Sequence, residues 1–544
     1  MPDPDPSSAI TSADARAQAL AAAAAVAVTP TSTVDFVSQG RVLILGPGTA
    51  ALTAAGRLCT TLQVVVLASG PAAVPVPAGV TLLYREQRRL TLDGQLGGFF
   101  ATLDANGRSF DLGERIDAQR PVFDLVLDLG DEPAFRREWG PLGYYRPLDA
   151  EALEAALAAL PDLCGEFEKP KFFAYDASIC AHGQAGLDGC RRCIEACPAE
   201  AIESLLDRVR VNPNLCQGGG ACASACPSGA IVYRYPPAAD TLLRLRKLLT
   251  TYRRAAGGER PVLVFMDEHA GIDPLAWPGR VLPVLLAETA SAGMDLWLGV
   301  LAYGAAAVRV LRAPDLAPKL ERALDEQLGF ARAILAGLGW PADALGWLAV
   351  DGDPLTGAEM PAMPAAGYAG SEAKRERLWA AIDHLHAHAP QPAEVLALPQ
   401  GAPFGQILVN PETCTLCMAC VSVCAPKALA DGGEEPKLRF VEAACVQCGL
   451  CETACPEHAI ERETRLLVPF EQRRRQRTLH EDQPHHCPQC GKAFATQSMI
   501  RTITGRLAHH PMFAGDGLRR LLLCEDCRVR DLYRSEGLGQ RPGP

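Results

Sequence analysis

All but Cys59 and Cys164 of the 21 cysteines stand in closely spaced groups. The most regular run is Cys414-x2-Cys417-x2-Cys420-x3-Cys424, followed by Cys445-x2-Cys448-x2-Cys451-x3-Cys455-Pro456. Three cysteines two residues apart can wrap three corners of a cubane with their amides turned towards its sulfides, and the fourth starts a segment that crosses to the other half. The spacing therefore predicts one [4Fe-4S] cluster on Cys414, Cys417, Cys420 and Cys455, and a second on Cys445, Cys448, Cys451 and Cys424. Ala425 between Cys424 and Pro426 departs slightly from the usual Cys-Pro and leaves the ligand intact. A pair of zinc sites would account for C-x-x-C units but has no use for a third and fourth cysteine in this rhythm.

A second copy of the pattern lies upstream, with two departures. Its first half reads Cys180-x9-Cys190-x2-Cys193-x3-Cys197-Pro198, with the loop AHGQAGLDG where two residues are usual. Gly and Asp suit a looped-out insertion, so Cys180, Cys190, Cys193 and, by crossing, Cys226 are expected to hold a third [4Fe-4S] cluster. The second half reads Cys216-x2-Gly219-x2-Cys222-x3-Cys226-Pro227, with Gly219 where a cysteine is expected. That leaves Cys216, Cys222 and Cys197. Three thiolates suit a [3Fe-4S] cluster, a [4Fe-4S] cluster with water or another ligand on the fourth iron, or an empty site. Cys164 reads as a buried thiol and His182 as a loop histidine rather than as replacement ligands.

Near the C-terminus, Cys487-x2-Cys490 and Cys524-x2-Cys527 supply four thiolates in two knuckles, the first with Gly491 to turn the backbone under a metal. Four thiolates fit a closed tetrahedral Zn²⁺ site, although a single iron can be held in the same way. His485, His486, His509 and His510 read as surface residues.

Other motifs are weaker. Gly46-x-Gly48-x-x-Ala51 follows an apolar run and opens an Ala-rich helix, the context of a dinucleotide fingerprint. The acidic residue that would accept a ribose 2′-OH is missing, Ala68-Ser69-Gly70 standing in its place, so FAD or NAD is not expected there. Asp267, Glu268 and His269 at a strand end, and His384, His386 and His388 on a charged helix, read as ordinary solvated residues. Arg473 to Arg477 reads as a solvated basic linker, with docking to an acidic redox partner as the sharper alternative.

The elements that must position these groups divide the 544 residues into several domains. The fold class expected is multidomain α/β, with two ferredoxin-like modules set between small parallel α/β domains and a zinc-ribbon-like module at the end. Residues 1–40 read as a disordered Ala/Pro-rich arm and 41–160 as a Rossmann-like domain with a hairpin turning at Asn106-Gly107. Residues 161–236 form the first ferredoxin module. Residues 237–395, without cysteine, alternate strand and helix as a parallel sheet requires. Residues 396–466 form the second module, 467–484 the linker, 485–533 the ribbon and 534–544 a tail. A net charge of −11 argues against a nucleic-acid partner. The N-terminus lacks a basic start and a Leu-rich core, and no apolar run reaches the length of a membrane span. Clustered cysteines in a large chain of this kind point to a reducing compartment, the cytoplasm.

Several segments resemble a bacterial group of multi-cluster 4Fe-4S proteins related to the A subunit of heterodisulfide reductase, some associated with formate dehydrogenase systems. They are FEKPKFFAYDASIC with CRRCIEACPAEAI, LCQGGGACASACPSGAI, and CPQCGKAF, HPMF and LLLCEDCRVRD. The stretch VLPVLLAETASAGMDLWLGVLAYGAAAVRVL resembles the small α/β domain that accompanies electron-bifurcating hydrogenase and reductase complexes. The resemblance spans most of residues 90–533 and implies electron relay inside a larger complex, with formate dehydrogenase among the redox partners. Two departures stand out: the middle domain has no thiolate for a cluster of its own, and the glycine loop lacks its acid. The expected function is single-electron transfer. A flavin-dependent reductase using the glycine loop, and an assembly or scaffold protein with structural clusters, are the rival readings.

Overall fold

The computed structural model describes residues 11–535 apart from Gln87 and Asn106; the hairpin turn expected at Asn106 and the C-terminal tail from 536 onwards lie outside the described residues. Helix α1 (Ser12–Ala24) opens with a capping box in which Thr11 accepts from the Asp14 amide. After it, Thr33–Ser38 pairs antiparallel with Gly165–Pro170. The disordered arm expected over 1–40 is thus replaced, over its described part, by a helix and a strand.

The first α/β unit is a five-stranded parallel sheet of order β3-β2-β1-β4-β5, with β1 Arg41–Gly46, β2 Gln63–Ala68, β3 Thr81–Tyr84, β4 Leu125–Asp128 and β5 Tyr144–Tyr145. Helix α2 (Gly48–Leu58) packs Ala51, Leu52, Ala55 and Leu58 on the face formed by Val42, Ile44, Val64 and Val66. The alternate residues Leu43, Leu45, Val65 and Leu67 face a three-stranded antiparallel sheet through Leu92, Ala101 and Leu103. Period-two alternation with both faces apolar is what a covered parallel sheet demands.

In the second unit, helix α3 (Ala238–Ala255) precedes four parallel strands of order β7-β6-β8-β9: β6 Val262–Asp267, β7 Val281–Leu286, β8 Ala307–Leu311 and β9 Leu345–Leu348. Helix α4 (Met294–Ala302) is buried along its whole length, and α5 (Pro318–Gly337) covers the same core with Leu320, Leu324, Ala331 and Ile334. Helix α6 (Lys374–Ala387) packs on α4, fixed by a buried ion pair between Arg377 and Asp295 at 2.9 Å. Among the described residues no helix is long and apolar enough to cross a membrane.

Helix α1 lies along α3. Ala15 and Ala19 are fully buried there, and the Arg16 guanidinium binds the carbonyls of Trp277 (2.8 Å) and Leu275 (2.9 Å). High helix propensity and small side chains, which let two helices approach, explain why a weakly apolar Ala run orders.

The stretch expected as a basic linker is structured as well. Phe470–Arg474 is a short helix and Arg477–Glu481 a strand paired with Glu435–Phe440. Arg473 is 1% exposed, ion-paired with Asp383 at 2.6 Å and stacked 4.2 Å from the Trp379 ring centre. A guanidinium that finds a carboxylate and an aromatic face no longer needs water.

Candidate metal centres

The second cysteine-rich segment is built on Gly405–Val409 paired with Ile460–Leu467 and on the hairpin Leu429–Gly432 with Glu435–Phe440. The cysteine loops between them share one backbone pattern. The residue before and the residue after the second cysteine are left-handed: Leu416 (φ 52°) and Met418 (φ 61°) around Cys417, and Gln447 (φ 55°) and Gly449 (φ 89°) around Cys448. The residue three after each closing cysteine is left-handed too: Lys427 (φ 55°) and His458 (φ 48°). Alternating hands turn successive N–H groups to one side, the concave nest in which proteins hold anionic iron–sulfur clusters.

Two cavities lie in these nests. One is lined by Cys424, Cys445, Cys448 and Cys451. The other is lined by Cys414, Cys417, Cys420 and Cys455. The fourth cysteine of each half thus faces the other half's three. Burial pushes the Cys420 thiol up to about 12, and Cys414, Cys417 and Cys455 add to it. Burial likewise raises Cys451, with Cys445, Cys448 and Cys424 adding to it. Thiols held protonated in this way become thiolates on meeting iron. The Ala459 amide donates to Cys455 Sγ at 3.3 Å, and the Gln447 side-chain Nε2 donates to Cys445 Sγ at 3.5 Å.

The first segment repeats this architecture except around Cys190, where the flanking Arg191 is not left-handed (φ −119°). The nine-residue gap is a β-hairpin, Gly183–Gln184 with Leu187–Asp188, turning at Ala185 and Gly186, both left-handed. At its base the Cys190 amide donates to the Ala181 carbonyl at 2.8 Å, so Cys180 is returned beside Cys190. His182 is 1% exposed, with Nδ1 2.9 Å from the Cys190 carbonyl and Nε2 2.8 Å from Ser204 Oγ. Both ring nitrogens are engaged, which leaves none for a metal. Burial raises Cys193, and Cys226, Cys190 and Cys180 add to it; Cys222 is raised by burial and then by Cys216 and Cys197. The left-handed residues recur at Gly218 (φ 83°) and Gly220 (φ 73°), and at Glu200 (φ 49°) and Gly229 (φ 77°) after the closing cysteines. The Ala201 amide donates to Cys197 Sγ at 3.4 Å, the counterpart of Ala459 on Cys455. The site that lacks a cysteine at 219 therefore keeps the nest. A Cβ on Gly219 would lie 3.0 Å from the Trp139 ring and 3.5 Å from Leu320. Cys164, expected to be buried, is exposed.

Residues 188–230 and 413–460 each match the 4Fe-4S dicluster domain. The chain carries two dicluster ferredoxin domains. The first match begins beyond Cys180, the cysteine displaced by the hairpin. No curated protein matches the chain.

At the C-terminal end the sulfurs of Cys487, Cys490, Cys524 and Cys527 all lie within 4.8 Å of one another, with Cys490 and Cys524 3.6 Å apart. Metal–sulfur bonds of about 2.3 Å place tetrahedral sulfurs about 3.8 Å apart, so a single metal fits this set. Gly491 is left-handed (φ 76°) under the knuckle.

The glycine loop is differently employed. A Cβ on Gly46 would lie 2.8 Å from the Leu129 backbone, and one on Gly48 2.5 Å from the Gly70 carbonyl. Ala51 is fully buried. The Gly70 and Pro71 carbonyls thus pack directly against Gly48, a close approach of backbones that only glycine allows. Asp267 accepts from the Thr289 hydroxyl at 2.6 Å, a bond that fixes a strand end. Gln447 and Trp139 are the site residues that spacing could not reveal.

Proposed function

We propose that the protein is an electron-transfer subunit that relays single electrons between redox partners. The observation that carries this reading is the pair of four-thiol cavities, each in an amide nest, within a matched dicluster domain. Cys414, Cys417, Cys420 and Cys455 would hold one [4Fe-4S] cluster. Cys424, Cys445, Cys448 and Cys451 would hold a second, and Cys180, Cys190, Cys193 and Cys226 a third. Cys197, Cys216 and Cys222 would hold a three-thiolate cluster, which we assign as [3Fe-4S] because Trp139 and Leu320 occupy the position of a fourth side chain. Cys487, Cys490, Cys524 and Cys527 would hold a structural Zn²⁺.

Bound clusters supply reversible one-electron chemistry. The chain's own part is to exclude water, to donate N–H groups to the ligating sulfurs and to set charge around them. Membership of a larger oxidoreductase complex, with formate dehydrogenase as a partner, rests on the sequence segments flanking the cysteines. Anaerobic purification with iron, sulfide, zinc and flavin counts, together with EPR, tests the reading. About 15 irons and one zinc are expected from these ligand sets, with an EPR signal from a [3Fe-4S] cluster in the oxidised protein. Clusters that refuse reversible reduction would sink the relay and leave a scaffold role.

A further inference from the structure

The two dicluster domains are joined by two consecutive residues. At the first turn of α6, the Lys374 ammonium binds the carbonyls of Ala223 (2.7 Å), Ser224 (2.5 Å) and Cys226 (2.9 Å). All three of its protons are used, at the C-terminal end of the short helix Ala221–Ala225, where unpaired carbonyls favour a cation. The next residue turns the other way. Arg375 binds the carbonyls of Cys445 (2.7 Å), Ala443 (3.0 Å) and Pro403 (3.1 Å). One cation therefore rests on the backbone of a cysteine from the first domain, and its neighbour on a cysteine from the second. The domains also touch directly: a Cβ on Gly189 would lie 2.8 Å from the Leu450 side chain, and Arg192 bonds the Gly401 carbonyl.

We propose that Lys374 and Arg375 form a cationic clasp that sets the inner site of each dicluster domain against the other, making one continuous path of four sites. This rests on the relay reading above. The order is the Cys414 set, the Cys445 set, the Cys190 set and the Cys216 set. Gly189 adjoins Cys190 and Leu450 lies two residues from Cys448, so the Gly189–Leu450 contact brings the two inner ligand loops together at the seam. The outer end of the path reaches solvent at Cys417, which is exposed. In each transfer one site is oxidised as its neighbour is reduced. The electron enters from a one-electron reductant at one end and leaves to a one-electron oxidant at the other, and no proton is required. Lys374 and Arg375 are positioning residues: their charges favour the reduced, more negative state of the two inner sites. Asp295, ion-paired with Arg377, is the facing anion and is already neutralised.

The test is an EPR-monitored redox titration of the anaerobically purified full chain, with Cys193→Ser and Cys448→Ser assigning the two inner signals. Lys374→Met is expected to move the midpoint of the Cys190 set to more negative potential, and Arg375→Gln that of the Cys445 set. Arg375→Lys, which keeps the charge and loses the fork, is expected to stay near wild type. Unchanged midpoints in cluster-replete Lys374→Met and Arg375→Gln overturn the clasp, as does an equal shift in Arg375→Lys and Arg375→Gln. Should a variant shed its cluster, the wild type decides: fully reduced, it must show magnetic interaction between the two inner clusters, and its absence overturns the continuous path. Failure of reversible reduction in the wild type would instead refute the relay itself.

Discussion

Gln447 offers a direct handle on one cluster. The residue is 8% exposed, and its Nε2 reaches Cys445 Sγ at 3.5 Å and the Gln406 carbonyl at 3.0 Å. Hydrogen bonds to ligating sulfur raise a cluster's potential because they favour the state with more negative charge. Gln447→Met keeps the length of the side chain and removes the donor. The left-handed backbone (φ 55°) strains both residues alike, so the comparison isolates the hydrogen bonds. A bond to a charged acceptor contributes about 1.5–3 kcal/mol. If a third to a half of that depends on cluster charge, the difference is about 0.5–1.5 kcal/mol, or about 20–65 mV at 59 mV per tenfold for one electron. The midpoint of the Cys445 set is therefore expected to fall by that amount in an EPR-monitored titration, and Gln447→Glu should lower it further. Loss of the Gln406 bond should also destabilise the fold by about 1–2 kcal/mol. A midpoint that is unchanged or raised, with iron content intact, would refute the reasoning.

Two further substitutions test the surrounding frame. Arg473→Met removes the ion pair with Asp383, the Val468 carbonyl bond and the stacking on Trp379. Asp383, 33% exposed in its side chain, can reach water once released, so we expect a net loss of about 2–3 kcal/mol, read as a calorimetric transition lowered by roughly 4–12 °C; a solvated linker residue would give no change. Burial, followed by the charges of Asp267 and Asp315, raises Glu288 to about 7 from an ordinary value of 4.5. Between those values the unfolded chain ionises while the folded one stays protonated, so stability falls as pH rises through that window and then levels. Glu288→Gln should remove this slope, stabilising the protein at pH 8 by about 1–2 kcal/mol after allowance for solvent screening and leaving it unchanged at pH 4. Equal effects at both pH values would exclude the titration.

The cysteine sets were legible because a covalent cofactor imposes its geometry on spacing: three thiols at two-residue intervals and a crossing fourth leave little freedom. The insertion after Cys180 also announced itself as looped out, through Gly and Asp in the gap, although its pairing as a hairpin did not. The parallel strands of the second α/β unit were legible from runs of Val and Leu. What was not legible depends on partners remote in the chain. Arg473 reads as solvated until Asp383 and Trp379 are brought to it, and Ala15 and Ala19 carry no apolar signal until α3 lies against them. The nests escaped notice for a different reason. Leu416, Gln447 and Glu200 adopt left-handed backbone without the glycine that would mark it.

The triple glycine at 218–220 shows how tightly the incomplete site is bound to the rest of the fold. Gly218 and Gly220 have positive φ, as their counterparts around Cys417 and Cys448 do, so the nest alone explains them. Gly219 has no such need, and its identity is explained by its neighbour: a Cβ there would meet the Trp139 ring at 3.0 Å. Trp139 belongs to the loop between β4 and β5, and it packs with Cys197 and Cys216. Gly220 in turn abuts Ser291, where a Cβ would lie 2.5 Å from the Ser291 Cα. Both α/β units thus press on this one loop, one through Trp139 and the other through Ser291 and Leu320. A cysteine at 219 would need the Trp139 indole to give by a few tenths of an ångström, at the contact between the first α/β unit and the dicluster domain. The missing ligand thus lies within the domain contact, while the retained amides and three thiols keep the site suited to a cluster of lower thiolate count.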